Sequence, residues 1–255
     1  TASDAGKIAG LELLAMRMAD SKGNTVTAQM RSGSPEVKAA AYKALQDVVT
    51  ARDFVEMCGI LESQPANDVK LAQDAVSATV HYMPEAEQVE TVLRRMYQAG
   101  AAKKHLYYPV LASTGQQKAL DIIVEGCNKD TGASKDAAVA ALLSWKDMRA
   151  AENLYEVAKQ GGQLGEQALN RYIQLVSSSE MTGENKLLRL RKAMDIAQTD
   201  NVRNLVLQKV EGTGTYLALL YAGEYLDNKP VQQSAAQAVM NIALSHPQYT
   251  GENVR

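Results

Sequence analysis

The chain has 255 residues and a net charge of −2, long enough for a sizeable core and too balanced in charge for bulk attraction to nucleic acid or an anionic membrane. Alanine is abundant, whereas there are only 6 prolines, 1 phenylalanine and 1 tryptophan, a composition that favours helices with small residues at close contacts. No apolar run approaches the roughly 18 residues that a membrane helix needs.

The chain opens on Thr1 instead of Met, and residues 251–255 read as an open boundary, so a processed or excised piece of a longer chain is expected. A first helix is expected over residues 5–18 and a short one over 24–31. After Gly33, Ser34-Pro35-Glu36-Val37 combines an N-cap with a proline suited to the first turn. Val37, Ala40, Ala41, Ala44, Leu45 and Val48 then form one helical stripe. The same start returns at Asn67-Asp68-Val69, at Asp200-Asn201-Val202 and at Asn228-Lys229-Pro230-Val231, each followed by apolar residues at helical spacing. Spacings of 32 residues from Val37 to Val69, 133 from Val69 to Val202 and 29 from Val202 to Val231 fit one repeating period. Weaker copies fall at residues 101–112, 134–143 and 165–176. Between them lie amphipathic stretches at 52–62, 85–98, 116–127, 149–159, 186–197 and 216–226. Breakers separate the pieces, among them Pro65, Pro84, Gly100, Gly115, Gly132, Gly161-Gly162, Gly183 and Gly212. With no long linker, a single domain over residues 1–255 is expected.

Helix pairs on a period near 32, with Val and Ala in the second helix, resemble HEAT repeats. That resemblance implies an all-α, right-handed α-solenoid of about seven helix pairs. Tetratricopeptide repeats are the competing reading, but their Trp-Leu-Gly-Tyr and terminal Pro pattern is missing. Segments such as SPEVKAAAYKAL and PVQQSAAQAVMNIAL also resemble the N-terminal helical region of secreted Bacteroidetes proteins that end in a 3-keto-disaccharide hydrolase domain. This second resemblance implies an extracytoplasmic location, periplasmic or secreted, and a carbohydrate-active domain outside this chain.

The residues offer little chemistry. His81, His105 and His246 are scattered, and no cofactor or metal site is expected. Cys58 and Cys127 fall two repeats apart, roughly 20 Å at a helix diameter of about 10 Å, too far for a disulfide. The glycine-rich segments at 161–165 and 212–214 follow no strand and lack a P-loop ending, so they read as helix junctions. Lys186, Arg189, Arg191, Lys192 and Arg203 cluster, as do Arg94, Arg95, Lys103, Lys104 and His105, but acids interleave with the first set and precede the second. HEAT-like DNA glycosylases bind duplexes through a basic face, which makes nucleic-acid binding the alternative function. The 11 tyrosines stand out. Tyr107 and Tyr108 are adjacent and cannot share a face, whereas Tyr221 and Tyr225 are four apart and can. The expected function is non-enzymatic: a scaffold or interaction module that binds a protein partner or an adjacent domain. Its candidate interaction surface comprises Tyr107, Tyr108, Tyr221, Tyr225, Arg189, Arg191 and Lys192.

Overall fold

The computed structural model describes residues 2–250 apart from Gln64, Ala66 and Asn67. The repeat start at Asn67 and the boundary over residues 251–255 therefore lie outside the described residues. What is described is all-helical, 80% helix without strands. By contacts the chain divides into two compact units, Thr1–Ser144 and Trp145–Arg255. From the sequence, a single domain over residues 1–255 is expected.

The first unit holds α1 (Asp4–Met16), α2 (Gly23–Ser32), α3 (Pro35–Val48), α4 (Phe54–Ser63), α5 (Val69–His81), α6 (Glu85–Ala99), α7 (Tyr108–Ser113), α8 (Gln117–Lys129) and α9 (Gly132–Leu143). The second holds α10 (Ala151–Ala158), α11 (Gly162–Ser178), α12 (Gly183–Ile196), α13 (Asp200–Glu211), α14 (Tyr216–Gly223) and α15 (Gln232–Ser245). Consecutive helices pack as pairs: α2 on α3, α4 on α5, α8 on α9, α10 on α11, α12 on α13 and α14 on α15. The second helices of successive pairs also pack on each other, from α3 through α5 and α7 to α9, and from α11 through α13 to α15. The first helix, α1, packs on α3 as though it were the second helix of an earlier pair.

The stripes read from the sequence face these contacts. Val37, Ala41, Ala44, Leu45 and Val48 of α3 are buried, and so are Ala72, Val76 and Val80 of α5 and Ala235, Ala238 and Ile242 of α15. Buried alanines let neighbouring helices approach closely, which explains why alanine is so common here. Capping follows the expected chemistry at Ser34, whose hydroxyl accepts from Val37 N–H, while the neighbouring starts differ in detail. Thr199, one residue before the expected Asp200, caps α13 by accepting from Val202 N–H. Asn228 caps nothing. It lies in a turn in which Val231 N–H donates to its carbonyl, and α15 begins only at Gln232.

The largest departure is at residues 101–112, expected as one α-helix. Residues Ala101–Tyr107 form a 3-10 helix instead, and α7 is a short stub. Pro109 supplies the reason. It has no N–H and its ring clashes with the carbonyl four residues back, so an α-helix cannot run through it.

Candidate functional site

Pro109 also leaves the Leu106 carbonyl without a partner in 3-10 register, because that register asks for the N–H of residue 109. Gln73 of α5 replaces it: its side-chain amide donates to the Leu106 oxygen at 2.9 Å, in a buried setting. The segment so held carries Tyr107 and Tyr108, both completely buried. Neither ring is available to an interaction surface, and this removes them from the surface on which the sequence placed them.

As adjacent residues they point to different neighbours. The Tyr107 hydroxyl donates to Glu62, at the end of α4. Arg95 of α6 binds the same carboxylate at 2.8 Å and reaches the Tyr107 oxygen at 3.4 Å. On the other side, the Tyr108 hydroxyl donates to Asp130, just past α8, at 2.5 Å. Lys104 pairs with that carboxylate at 2.7 Å and lies over the Tyr108 ring. Two clusters of one composition therefore flank a single segment, each a phenol, a carboxylate and a cation. Burial, and the hydrogen bond each phenol donates to its carboxylate, push both tyrosines well above the usual phenol range. Burial opposes ionisation of Asp130 as well, but the bonds from Lys104 and Tyr108 outweigh it and hold its carboxyl below the usual range.

The access of Tyr108 to Asp130 depends on Gly126 in α8, where an added Cβ would come within 2.1 Å of the Tyr108 hydroxyl. Both cysteines are free and buried, with Cys58 beside the Tyr107 cluster and Cys127 beside the Tyr108 cluster. Burial pushes their thiols up to about 12 and about 11, so at neutral pH they are protonated and unreactive.

In the second unit, Arg191 of α12 and Tyr221 of α14 come together with Tyr225, in the turn after α14. The Tyr221 and Tyr225 hydroxyls are 3.0 Å apart with their rings edge to face, and the Arg191 guanidinium lies over the Tyr221 ring at 5.0 Å. Tyr221 is buried, with its hydroxyl end at this cluster, and Tyr225 is half-buried. Arg189 turns the other way and pairs with Glu152 of α10. Its backbone carbonyl accepts from Tyr172, and the Lys192 carbonyl accepts from Tyr155; these two tyrosine rings pack at 5.4 Å. The exposed remainder of α12 presents Leu188, Arg191, Lys192 and Asp195.

Much of the basic cluster seen in the sequence is engaged internally. Lys186 donates to the Ser177 carbonyl, and Arg203 donates to the Ala197 carbonyl and pairs with Asp200. Carbonyls near the ends of helices attract cations in this way. Among the described residues, Arg191 and Lys192 have no carboxylate within ion-pair distance.

No group of three His, Cys, Asp or Glu residues converges among the described residues. The His81 ring lies 3.0 Å from the Ser113 carbonyl, and His246 stacks on Tyr249. A shallow recess between the α10–α11 turn and the α12–α13 turn, lined by Gly161, Glu166, Gln198 and Thr199 among others, has a cavity volume of only about 20 Å³, far below the usual range of about 300–1,000 Å³ for ligand sites. Sequence reasoning missed Gln73, Arg95, Glu62, Asp130 and Gly126 as one assembly. Two signals for it were present: a glutamine beside the apolar stripe of α5, and a glycine inside α8, where alanine would be favoured by about 1 kcal/mol unless something approaches closely. No protein family, curated protein or solved structure matches the chain.

Proposed function

We propose that this chain is a non-enzymatic interaction module built as an α-solenoid of HEAT-like helix pairs, which binds a protein partner or an adjacent domain through the α12–α14 face of its second unit. The solenoid reading is supported within each unit by the pairing of consecutive helices and by the packing of second helix on second helix, the contact pattern of a stacked repeat. One observation carries the binding reading. Arg191 is held over Tyr221 with no carboxylate within ion-pair distance among the described residues, next to exposed Lys192 and Leu188 and half-buried Tyr225. Arginine and tyrosine pre-ordered at a surface are the residues that dominate protein interfaces. In contrast, the carboxylates of the first unit's buried clusters are occupied by cations and phenols.

The resemblance to the helical regions of secreted hydrolases adds a proposed partner, a carbohydrate-active domain, and an extracytoplasmic setting. The decisive experiment compares the wild-type chain with the Arg191→Glu/Lys192→Glu/Tyr225→Ala variant. Proteins retained from the native source would be quantified by mass spectrometry, beside an assay of glycoside hydrolysis. The reading expects a defined partner lost by the variant, and no turnover by the chain itself. Turnover abolished by one carboxylate substitution, or an unchanged set of retained proteins, would sink it.

A further inference from the structure

Stacked helix pairs ordinarily interact with their immediate neighbours, so stability is a sum of local terms. In the pair formed by α6 and the 3-10 segment with α7, the contacts to the two neighbours are not independent terms, because one short stretch of its backbone grips both flanking pairs. Tyr107 reaches Glu62 of the preceding pair and Tyr108 reaches Asp130 of the following one, from consecutive residues. The carbonyl immediately before them, that of Leu106, is bound by Gln73. Pro109 immediately after them prevents the segment from relaxing into an α-helix. The charged groups at the two hydroxyls are Glu62 from α4, Arg95 from α6, Lys104 from the 3-10 segment itself, and Asp130 past the end of α8, with Gly126 leaving the space and Cys58, Cys127 and Tyr97 close by.

We propose that Tyr107 and Tyr108 form a two-way latch, so that releasing either hydroxyl from its carboxylate loosens both flanking pairs together. The physical reason is geometric. Neighbouring residues on one constrained backbone cannot shift independently, and withdrawing one ring from its site displaces the α-carbon that positions the other. The α4–α5, α6–α7 and α8–α9 pairs then open as one cooperative body, and not as separate repeats. This inference stands apart from the binding surface, which lies in the other unit.

The molecule contains its own reporters, since Cys58 is buried beside one arm of the latch and Cys127 beside the other. Their labelling by a maleimide is measured on the intact chain, without denaturant and in low urea, and mapped by peptide mass. Tyr108→Phe is expected to accelerate labelling of Cys58 as well as Cys127, each by about tenfold, with a weaker urea dependence than global unfolding shows. Tyr107→Phe is expected to do the same in the opposite direction. Should Tyr108→Phe fail to fold, Asp130→Asn weakens the same arm more mildly and is expected to give the same pattern. Leu11→Ala, in α1 and away from the latch, serves as the control for general destabilisation. Acceleration of Cys127 alone by Tyr108→Phe overturns the proposal. So does equal acceleration of both thiols by Leu11→Ala at matched stability, which would mark the opening as global.

Discussion

A methyl group at position 126 would sit 2.1 Å from the Tyr108 hydroxyl oxygen, so the glycine there is a requirement of its neighbour and not of the helix. On helix propensity alone, Gly126→Ala should stabilise α8. The clash reverses the sign, and the variant is expected to lose about 1–3 kcal/mol in urea unfolding; an increase in stability would show that Tyr108 has room to move. The Asp130 carboxylate gives a second expectation at this scale. Its pKa is lower in the folded chain than in the unfolded one, so the stability it contributes is complete above about pH 4 and is lost as pH falls through the folded value. Asp130→Asn should therefore flatten the acid limb of the stability–pH curve, and an acid limb unchanged in the variant would contradict this. The phenols and thiols act with the opposite sense. Tyr107, Tyr108, Cys58 and Cys127 are all raised, so the protonated forms are favoured by folding and their contribution is lost as pH rises beyond about 9–10.

In the 3-10 segment Ala101–Tyr107, the Leu106 carbonyl is bound by a side chain from another helix, the Gln73 amide of α5. Removing that side chain with Gln73→Leu leaves the Leu106 carbonyl buried and unpaired, at a cost of about 1–3 kcal/mol. In a Pro109→Ala background the restored N–H is able to serve the same part of the backbone, and Gln73→Leu should then cost less. Equal costs in the two backgrounds would show that Gln73 does not compensate for the proline. The N-caps follow a simpler rule. Thr215 is nearly buried and accepts from Ala218 N–H at 3.0 Å, so Thr215→Ala should cost about 0.5–2 kcal/mol while Thr215→Ser restores most of it.

For the whole molecule, charge is the property with the clearest consequence. The net charge is −2, and Arg95, Lys104, Arg189 and Arg203 each have a carboxylate partner. A basic face of the kind that grips duplex DNA would need these cations free and pointing to solvent. The chain is therefore expected to show no submicromolar binding to a duplex at physiological salt. Tight binding with a steep salt dependence would promote the nucleic-acid alternative over the protein-binding reading. Similarly, among the described residues no helix is long and apolar enough to cross a membrane.

The sequence by itself determined the helices and their pairing. Helical periodicity and breaker residues act over a few positions, so the stripe of α3, the cap at Ser34 and the breaks at Gly100 and Gly161 are written locally. It also anticipated that Tyr221 and Tyr225 meet, although Tyr225 does so from the turn that follows α14 and not from the helix itself. Tertiary structure decided which tyrosines face outward and which cations are free. Tyr107 and Glu62 are 45 residues apart in the chain, and Tyr108 and Asp130 are 22 apart. No local pattern joins residues at such separations; helix packing does. Nor did the sequence reading anticipate that Pro109 would turn an expected α-helix into a 3-10 segment, or that a glutamine from another helix would complete its bonds. A missing N–H is visible in the sequence, but the group that replaces it is chosen by what packs alongside.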